Sequence, residues 1–590
     1  MSYKGFLGSN SRISKEDQEF YELKNKAAEF YRESGMQHKI EDVLNNMFFD
    51  QPDDIYGYLA NYFSKWSTTP VMSRVMGKCI FNGKGQLSVQ AEIFCKIKNE
   101  EKKTCSAEIS SVSEVLEDNF QDPSIVPGNG NKSRDVIAAV HWINDPLSTM
   151  LKGCNPCDQE GVDKILSDFF MARYLEDMDL RNREKTDQSP SEFSPEPLPP
   201  AAIATSKDKK GGDKGKKGNI IEKPIPPPEP SEPVLPGSVA VGTVSLAVAK
   251  TGALLQGIPL YKYIMILNSQ KSVEQLHVPV PLVTLLSCGR NSPGKLNLLE
   301  EVILIPKSGQ RFKPFITKVL ELQKEMTGIM NAASKTGPVL TSVSDLGALV
   351  VSYERPEQPL DLVTEACNNI GLALGKDIHL AINCAAHELM DYTKGKYDVM
   401  TGTPKSPDEL VDLYEALINK YPAIVALINP LRKEDLEQWE KLNTVIGASC
   451  ILLCDITSRP PRNSVQDEAL PLPGAKGYIL KQTNEMTVSE LIRVSRRHKG
   501  AVIIGTTYGE PCSDDSLADV AVGVGADYVK LGGLSRGERL NKYNRLLSIE
   551  EELAQQGILG MSFSLPGPFS CGRQKKEKVD VDKAMRRERL

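Results

Sequence analysis

A chain of 590 residues is longer than one hydrophobic core supports and divides into about three domains. With 40% hydrophobic and 25% charged residues and a net charge of −6, it lacks the basic surplus that nucleic-acid or anionic-membrane binding requires, so neither partner is expected. No unbroken apolar run approaches the roughly 18 residues of a bilayer span, and Met1-Ser2-Tyr3-Lys4-Gly5 opens no secretory apolar stretch. Twelve Cys are scattered, several inside apolar runs (Cys95, Cys384, Cys450, Cys454), and read as reduced and buried; a cytoplasmic protein is expected.

The first element in chain order is a helical module over residues 14–66. Ser14 with Asp17 three residues on marks a helix start. Ile40, Val43, Leu44 and Met47 fall at i, i+3, i+4 and i+7, one apolar stripe. Gln51-Pro52-Asp53-Asp54 then breaks the helix and restarts another through Ile55, Leu59 and Phe63. Two short helices cannot bury both faces alone, so the stripe meets either the neighbouring domain or a partner. The stripe followed by Pro52-Asp53-Asp54-Ile55 and Tyr58-Leu59-Ala60 is similar to the dimerisation-docking modules of kinase regulatory subunits. That resemblance implies two copies paired as a four-helix unit, an amphipathic-helix docking partner, and an address at a cilium or flagellum.

Farther on, Cys154 and Cys157 have C-x-x-C spacing, but with no second pair and no His beside them they read as a plain loop. Residues 187–237 hold 12 of the chain's 38 prolines around a Lys/Gly run from Lys207 to Lys217. Such a stretch buries too little apolar surface to offset its ordering entropy and is predicted to be disordered, its lysines solvated.

From about residue 375 strand and helix alternate at a regular beat. Strands are predicted at Ile378–Asn383, Ala423–Ile428, Cys450–Cys454, Tyr478–Lys481, Val502–Thr506 and Tyr528–Leu531, most of them continuous apolar runs as strands buried on both faces should be. Between them Ser406-Pro407-Asp408-Glu409 opens a helix, and Thr487-Val488-Ser489-Glu490 forms a capping box for another. This βα repetition predicts a parallel barrel or a doubly wound sheet. In a barrel the chemistry sits where strands end, which singles out Asn383, Ile428, Cys454, Lys481, Thr506 and Lys530.

Gly242 to Lys250, Gly257 to Tyr261, Val278-Pro279-Val280-Pro281, Gly395-Lys396-Tyr397-Asp398 and, longest, Arg536-Gly537-Glu538-Arg539-Leu540-Asn541-Lys542-Tyr543-Asn544 resemble motifs of the enolase family. The resemblance spans roughly 71–565 and is strongest to a divergent vertebrate branch of that family. It implies an α/β fold: an enolase-type (β/α) barrel over 276–565, preceded by an α+β N-terminal domain over 71–275. The hairpin of that domain is 83–97, a later helix begins at Val162, and the 187–237 insert interrupts it. The 1–70 all-α module precedes these domains and a charged tail, 566–590, follows.

The implied reaction is the dehydration of 2-phosphoglycerate to phosphoenolpyruvate in glycolysis. A Lys removes a carbon-bound proton beside a carboxylate, Mg²⁺ carries the resulting charge, and a Glu protonates the leaving hydroxyl. By resemblance Lys481 takes the base position, Lys530 that of the Lys that neutralises substrate charge, and Glu301 or its neighbour Glu300 the substrate-contacting Glu. The three metal-ligand positions carry Asn383, Ile428 and Cys454, which leaves no set of hard oxygen ligands for Mg²⁺, with Asp455 the nearest carboxylate. Leu346 stands at the acid, Asn291 at a loop His, and Thr506-Thr507-Tyr508 at the phosphate-contacting His-Arg-Ser; no copy of the family's mobile Ser-rich loop is visible near 105–113. The expectation is an enolase-like protein with weak or lost turnover, whose scaffold serves instead as a structural or docking protein in a cilium or flagellum, against two alternatives: a working hydratase, or a related enzyme with another acid substrate. The family also implies a dimer, either of this chain or with an intact enolase subunit.

Overall fold

The structure, a computed structural model, describes residues 15–111, 129–187, 225, 234–269, 275–290, 292–307, 309–334, 342–456, 472–498 and 500–560. The Ser14 helix start, Asn291, nearly all of the predicted disordered insert and the charged tail lie outside the described residues. Contacts divide the chain into two units, Met1–Pro70 with Ile97–Glu100, and Val71–Lys96 with Glu101–Leu590.

The first unit contains three helices, α1 (Lys15–Glu33), α2 (Met36–Asp50) and α3 (Ile55–Ser64). The break between the last two has a local cause. Gln51 takes a left-handed conformation, φ 42°, that ends α2, and the Asp54 side chain accepts the Gly57 N–H at 2.8 Å to start α3. Of the predicted stripe, Val43 is buried, whereas Ile40 and Leu44 are 42% and 49% exposed. Phe20, Phe48, Phe49 and Tyr56 are exposed as well.

The second unit opens with a three-stranded sheet, β1 (Val71–Phe81), β2 (Leu87–Ile97) and β3 (Glu100–Glu108), in that order, with β1 antiparallel to β2. Helices α4 (Asn129–Trp142), α5 (Gln159–Asp187), α6 (Val239–Gln256) and α7 (Leu260–Ser269) follow. By length and composition α6 is apolar enough to cross a membrane. Gly, Ser and Thr interrupt its apolar run, and α6 is instead the mostly buried centre of this helical layer. Cys154 and Cys157 are free thiols in the turn before α5.

A nine-stranded sheet forms the second domain. Eight of its strands close a barrel: β4 (Val280–Ser287), β5 (Glu301–Pro306), β6 (Ile378–Asn383), β7 (Ile424–Ile428), β8 (Ile451–Asp455), β9 (Ala475–Leu480), β10 (Ala501–Gly505) and β11 (Tyr528–Gly532), with β11 pairing back to β4. The strand predictions fall within a few residues of these bounds. Direction differs at one place. β5 runs antiparallel to both β4 and β6, as a strand reached through a loop without a crossover helix can. Inside, Leu282, Ile303, Ile305, Ala426, Ile428, Leu453, Ile479 and Ile503 belong to one apolar cluster. The helices α8 (Phe312–Ala333), α9 (Glu357–Asn369), α10 (Pro407–Lys420), α11 (Leu436–Ile446), α12 (Val488–Arg497), α13 (Ser516–Gly523) and α14 (Gly537–Gln555) alternate with the strands. Ser406 and Glu409 form the full reciprocal box at α10, whereas Thr487 caps α12 by accepting the Glu490 N–H at 3.2 Å. The long interval between β6 and β7 holds a small three-stranded hairpin sheet, Met390–Asp391, Lys396–Met400 and Thr403–Lys405.

Candidate active site

The strand ends bring the sequence-predicted residues to one opening. Glu301 begins β5, 1% exposed, and is held on three sides: Lys530 Nζ of β11 lies 2.6 Å from Oε1, Asn383 Nδ2 of β6 donates to Oε1 at 2.7 Å, and Thr284 Oγ1 of β4 donates to Oε2 at 2.6 Å. Burial alone would raise this carboxyl, but the Lys530 ammonium and the two neutral donors outweigh it and hold Glu301 below the usual carboxylate range. Glu301, not Glu300, therefore partners Lys530.

Lys481 follows β9 and forms a second ion pair, Nζ to Asp455 Oδ2 at 2.6 Å, both side chains about one-fifth exposed. Asn429, in a left-handed conformation after β7, fixes Asp455 by accepting its backbone N–H at 2.9 Å. Gly505 leaves room at this point: a Cβ there would lie 2.7 Å from Ile479 and 3.6 Å from the Lys481 stem. Behind Lys481, Asn484 accepts the Gly242 N–H of α6 at 3.1 Å and donates its own to Ser110 at 3.4 Å, so the N-terminal domain braces this strand end.

The long motif opening α14 has a structural use. Arg539 is fully buried; its guanidinium donates to Thr506 Oγ1 at 2.8 Å, Thr507 O at 2.7 Å and Asp345 O at 3.1 Å, tying two mouth loops together. Tyr543 donates to Gly532 O at 2.7 Å, and Lys542 pairs with Glu510 at 3.2 Å. Gly395 to Asp398 is explained likewise: the Tyr397 hydroxyl donates to Asp435, which is also paired with Arg432 at 2.6 Å.

The three metal-ligand positions do not suit Mg²⁺. Asn383 turns its NH₂ to Glu301 while its oxygen accepts the Ala385 N–H at 3.3 Å; Ile428 is buried and offers no donor. Burial pushes the Cys454 thiol up to about 11, with Lys433 opposing, so it carries no thiolate at neutral pH. Among the described residues no group of three or more His, Cys, Asp or Glu is placed to hold a metal. Hard oxygen ligands in octahedral array are what Mg²⁺ requires.

Leu346, at the acid position, is buried and apolar. Tyr508, after β10, is 48% exposed; desolvation of its hydroxyl, with the carboxylates of Glu300, Glu301, Glu388 and Asp455, drives its phenol well above its ordinary range. Sequence reasoning passed over three features: Thr284 as a donor, Asn383 as a donor rather than a failed ligand, and the pairing of Asp455 with Lys481. The signal for the last was the carboxylate directly beside Cys454, one strand over from Lys481.

Residues 275–564 match the family model described as the enolase C-terminal TIM barrel domain. A Danio rerio protein named Enolase 4 is 53% identical over 95% of this chain and 96% of its own length. The Homo sapiens protein of the same name is 43% identical over 92% of this chain and 90% of its own. A protein named Enolase from Methanopyrus kandleri is 30% identical over 55% of this chain and 74% of its own length.

Proposed function

The chain belongs to the enolase family, and from that premise we propose that it is an enolase-type lyase scaffold on which dehydration of 2-phosphoglycerate to phosphoenolpyruvate is greatly slowed or lost. The observation that carries this reading is the closed network of Glu301, Lys530, Asn383 and Thr284, together with the Lys481–Asp455 pair. Both lysines suited to substrate are already engaged by carboxylates of the protein.

The family depends on Mg²⁺ to stabilise the dianion formed when a proton leaves the carbon beside a carboxylate. Nothing in this donor set would hold that ion better than millimolar. What the chain's own residues supply is positional. Lys530 and Lys481 are presented on neighbouring sides of one mouth, and Asp455 competes with substrate for the Lys481 nitrogen. Loss of the metal and of the acid each removes several kcal/mol of transition-state stabilisation, and each 1.4 kcal/mol is about tenfold in rate. Purified full-length protein, assayed by coupled detection of phosphoenolpyruvate with and without Mg²⁺, is expected to turn over at least about 10⁴-fold more slowly than a family enolase. Robust, Mg²⁺-dependent activity that disappears in Lys481→Ala would overturn the reading.

A second use rests on the first unit. Its exposed Ile40, Leu44, Phe48, Phe49 and Tyr56 favour the docking reading, in which two copies pair and take up an amphipathic helix, in the cytoplasm and at a cilium or flagellum. Pairing of this chain with itself or with an intact enolase subunit belongs to the same proposal. Residues 1–70 expressed alone are expected to form a helical dimer that Leu44→Asp dissociates; an unfolded monomer would sink it.

A further inference from the structure

The first unit leaves two apolar faces open. Helix α1 is amphipathic: Phe20, Leu23, Ala27, Phe30 and Tyr31 fall at i, i+3, i+7, i+10 and i+11. That spacing puts them on one arc of about 100° around the axis. Glu19, Glu22, Lys26, Glu29 and Glu33 line the other side. Yet Phe20, Leu23, Phe30 and Tyr31 are 58–68% exposed. The second open face lies on α2, where Ile40, Leu44 and Phe48, at i, i+4 and i+8, are 42–72% exposed.

Among the described residues of this unit, Val43 is the single buried apolar side chain. Three helices with so little core of their own need a covering surface, because short helices are marginal in water without tertiary packing. The two faces do not cover each other within one copy. Ser34 and Gly35 join α1 to α2, Gly35 in a left-handed turn at φ 62°, and with that turn both stripes stay open. The exposed stripe residues together offer on the order of 800 Å², which is what each partner of a standard specific interface buries.

We propose that a second copy of this chain covers both faces, with α1 of each copy lying along α2 of the other. The inference rests on the docking reading of this unit and names the helix that the unit takes up: α1 is itself the amphipathic helix that such a groove accepts. An exchange of this kind closes both α1 stripes and both α2 stripes at once, whereas pairing through α2 alone leaves the two α1 stripes in water. The charged side of α1 stays in solvent. The contact is the same in both directions, so it ends at two copies and does not propagate. A helix from another protein gains the groove only by displacing α1.

The test co-expresses two versions of the full chain with different affinity tags, one carrying photoreactive benzoylphenylalanine in place of Phe20. Illumination is expected to join the two tagged chains, with the joined peptides connecting α1 of the probe chain to α2 of the other. Leu23→Asp in the probe chain, or Leu44→Asp in the other, should lower that yield at least about tenfold, and Glu22→Gln, on the charged side, should keep it within about twofold. An unchanged yield in Leu23→Asp overturns the proposal. The same probe in place of Phe48 reads the docking reading separately, because that reading pairs α2 and α3 of the two copies whether or not α1 takes part. Joining between chains from position 48 to α2 or α3, with none from position 20 to α2, overturns the proposal and leaves the docking reading standing. Joining from position 20 to α2 only within its own chain also overturns it, α1 then folding back on its own copy. No joining between chains from either position overturns both.

Discussion

Lys530 and Glu301 illustrate how far a single residue's value depends on its partner. Glu301 is buried, so Lys530→Met would strand a carboxylate with two neutral donors and no cation. The expected loss is about 3–5 kcal/mol, read as a lower denaturant midpoint. The pH dependence has a definite sign. Wild-type Glu301, held below the ordinary carboxylate value, adds stability that is present above that value and lost as pH falls through its folded value. In the variant the stranded carboxyl favours the proton, so the gap between variant and wild type should narrow from pH 8 to pH 5. The places of Lys481 and Lys530 at the barrel mouth were legible from sequence because strand-end position and flanking motif locate them. Asn383 was legible as a replaced ligand but not as a donor, because its role is set by a strand 82 residues earlier in the chain. Choosing between Glu300 and Glu301 needed coordinates too, since adjacent residues at a strand start are told apart by which faces inward.

Among the elements, the barrel strands were readable because burial on both faces leaves continuous apolar runs. β4 was not assigned as a strand from its pattern, since Pro279 and Pro281 mask it, and proline in a strand argues against a central position. The reversed direction of β5 was equally hidden: periodicity reports which residues are buried, not which way the strand runs. Helix starts were the most literal feature. Ser406 accepts the Glu409 N–H at 3.2 Å while the Glu409 carboxylate accepts the Ser406 N–H at 2.7 Å. Ser406→Ala should cost about 1 kcal/mol in the denaturation midpoint, and a change under a few tenths would mean the box adds little here.

At the scale of the whole molecule, one buried carboxylate joins the N-terminal helices to the barrel. Asp163 of α5, 2% exposed, accepts Ser245 Oγ of α6 at 2.6 Å, Gln159 Nε2 at 2.9 Å and the Ser489 N–H of α12 at 2.9 Å. Burial raises its carboxyl against these donors. Asp163→Ala leaves the Ser245 hydroxyl and the Ser489 N–H without an acceptor across that junction, while Gln159 keeps Ser245 O at 3.1 Å, and a loss of about 3 kcal/mol is expected. The readout is a lower melting temperature together with earlier proteolytic cleavage in the N-terminal helices; an unchanged melting temperature would show that the junction does not depend on this residue.

The two lysine–carboxylate pairs of the mouth make it a filled ion exchanger. An anion that enters must displace Asp455 from Lys481 or Glu301 from Lys530, and each displaced carboxylate then needs a new counterion. A ligand stabilises a fold by RT ln(1 + [L]/Kd), which becomes small when occupancy requires such an exchange. Millimolar 2-phosphoglycerate should therefore shift the melting temperature by less than about one degree, with or without Mg²⁺. Lys481 and Lys530 would make this barrel a poor sensor of the metabolite for which its family is built, and a fold whose stability does not follow the supply of that metabolite.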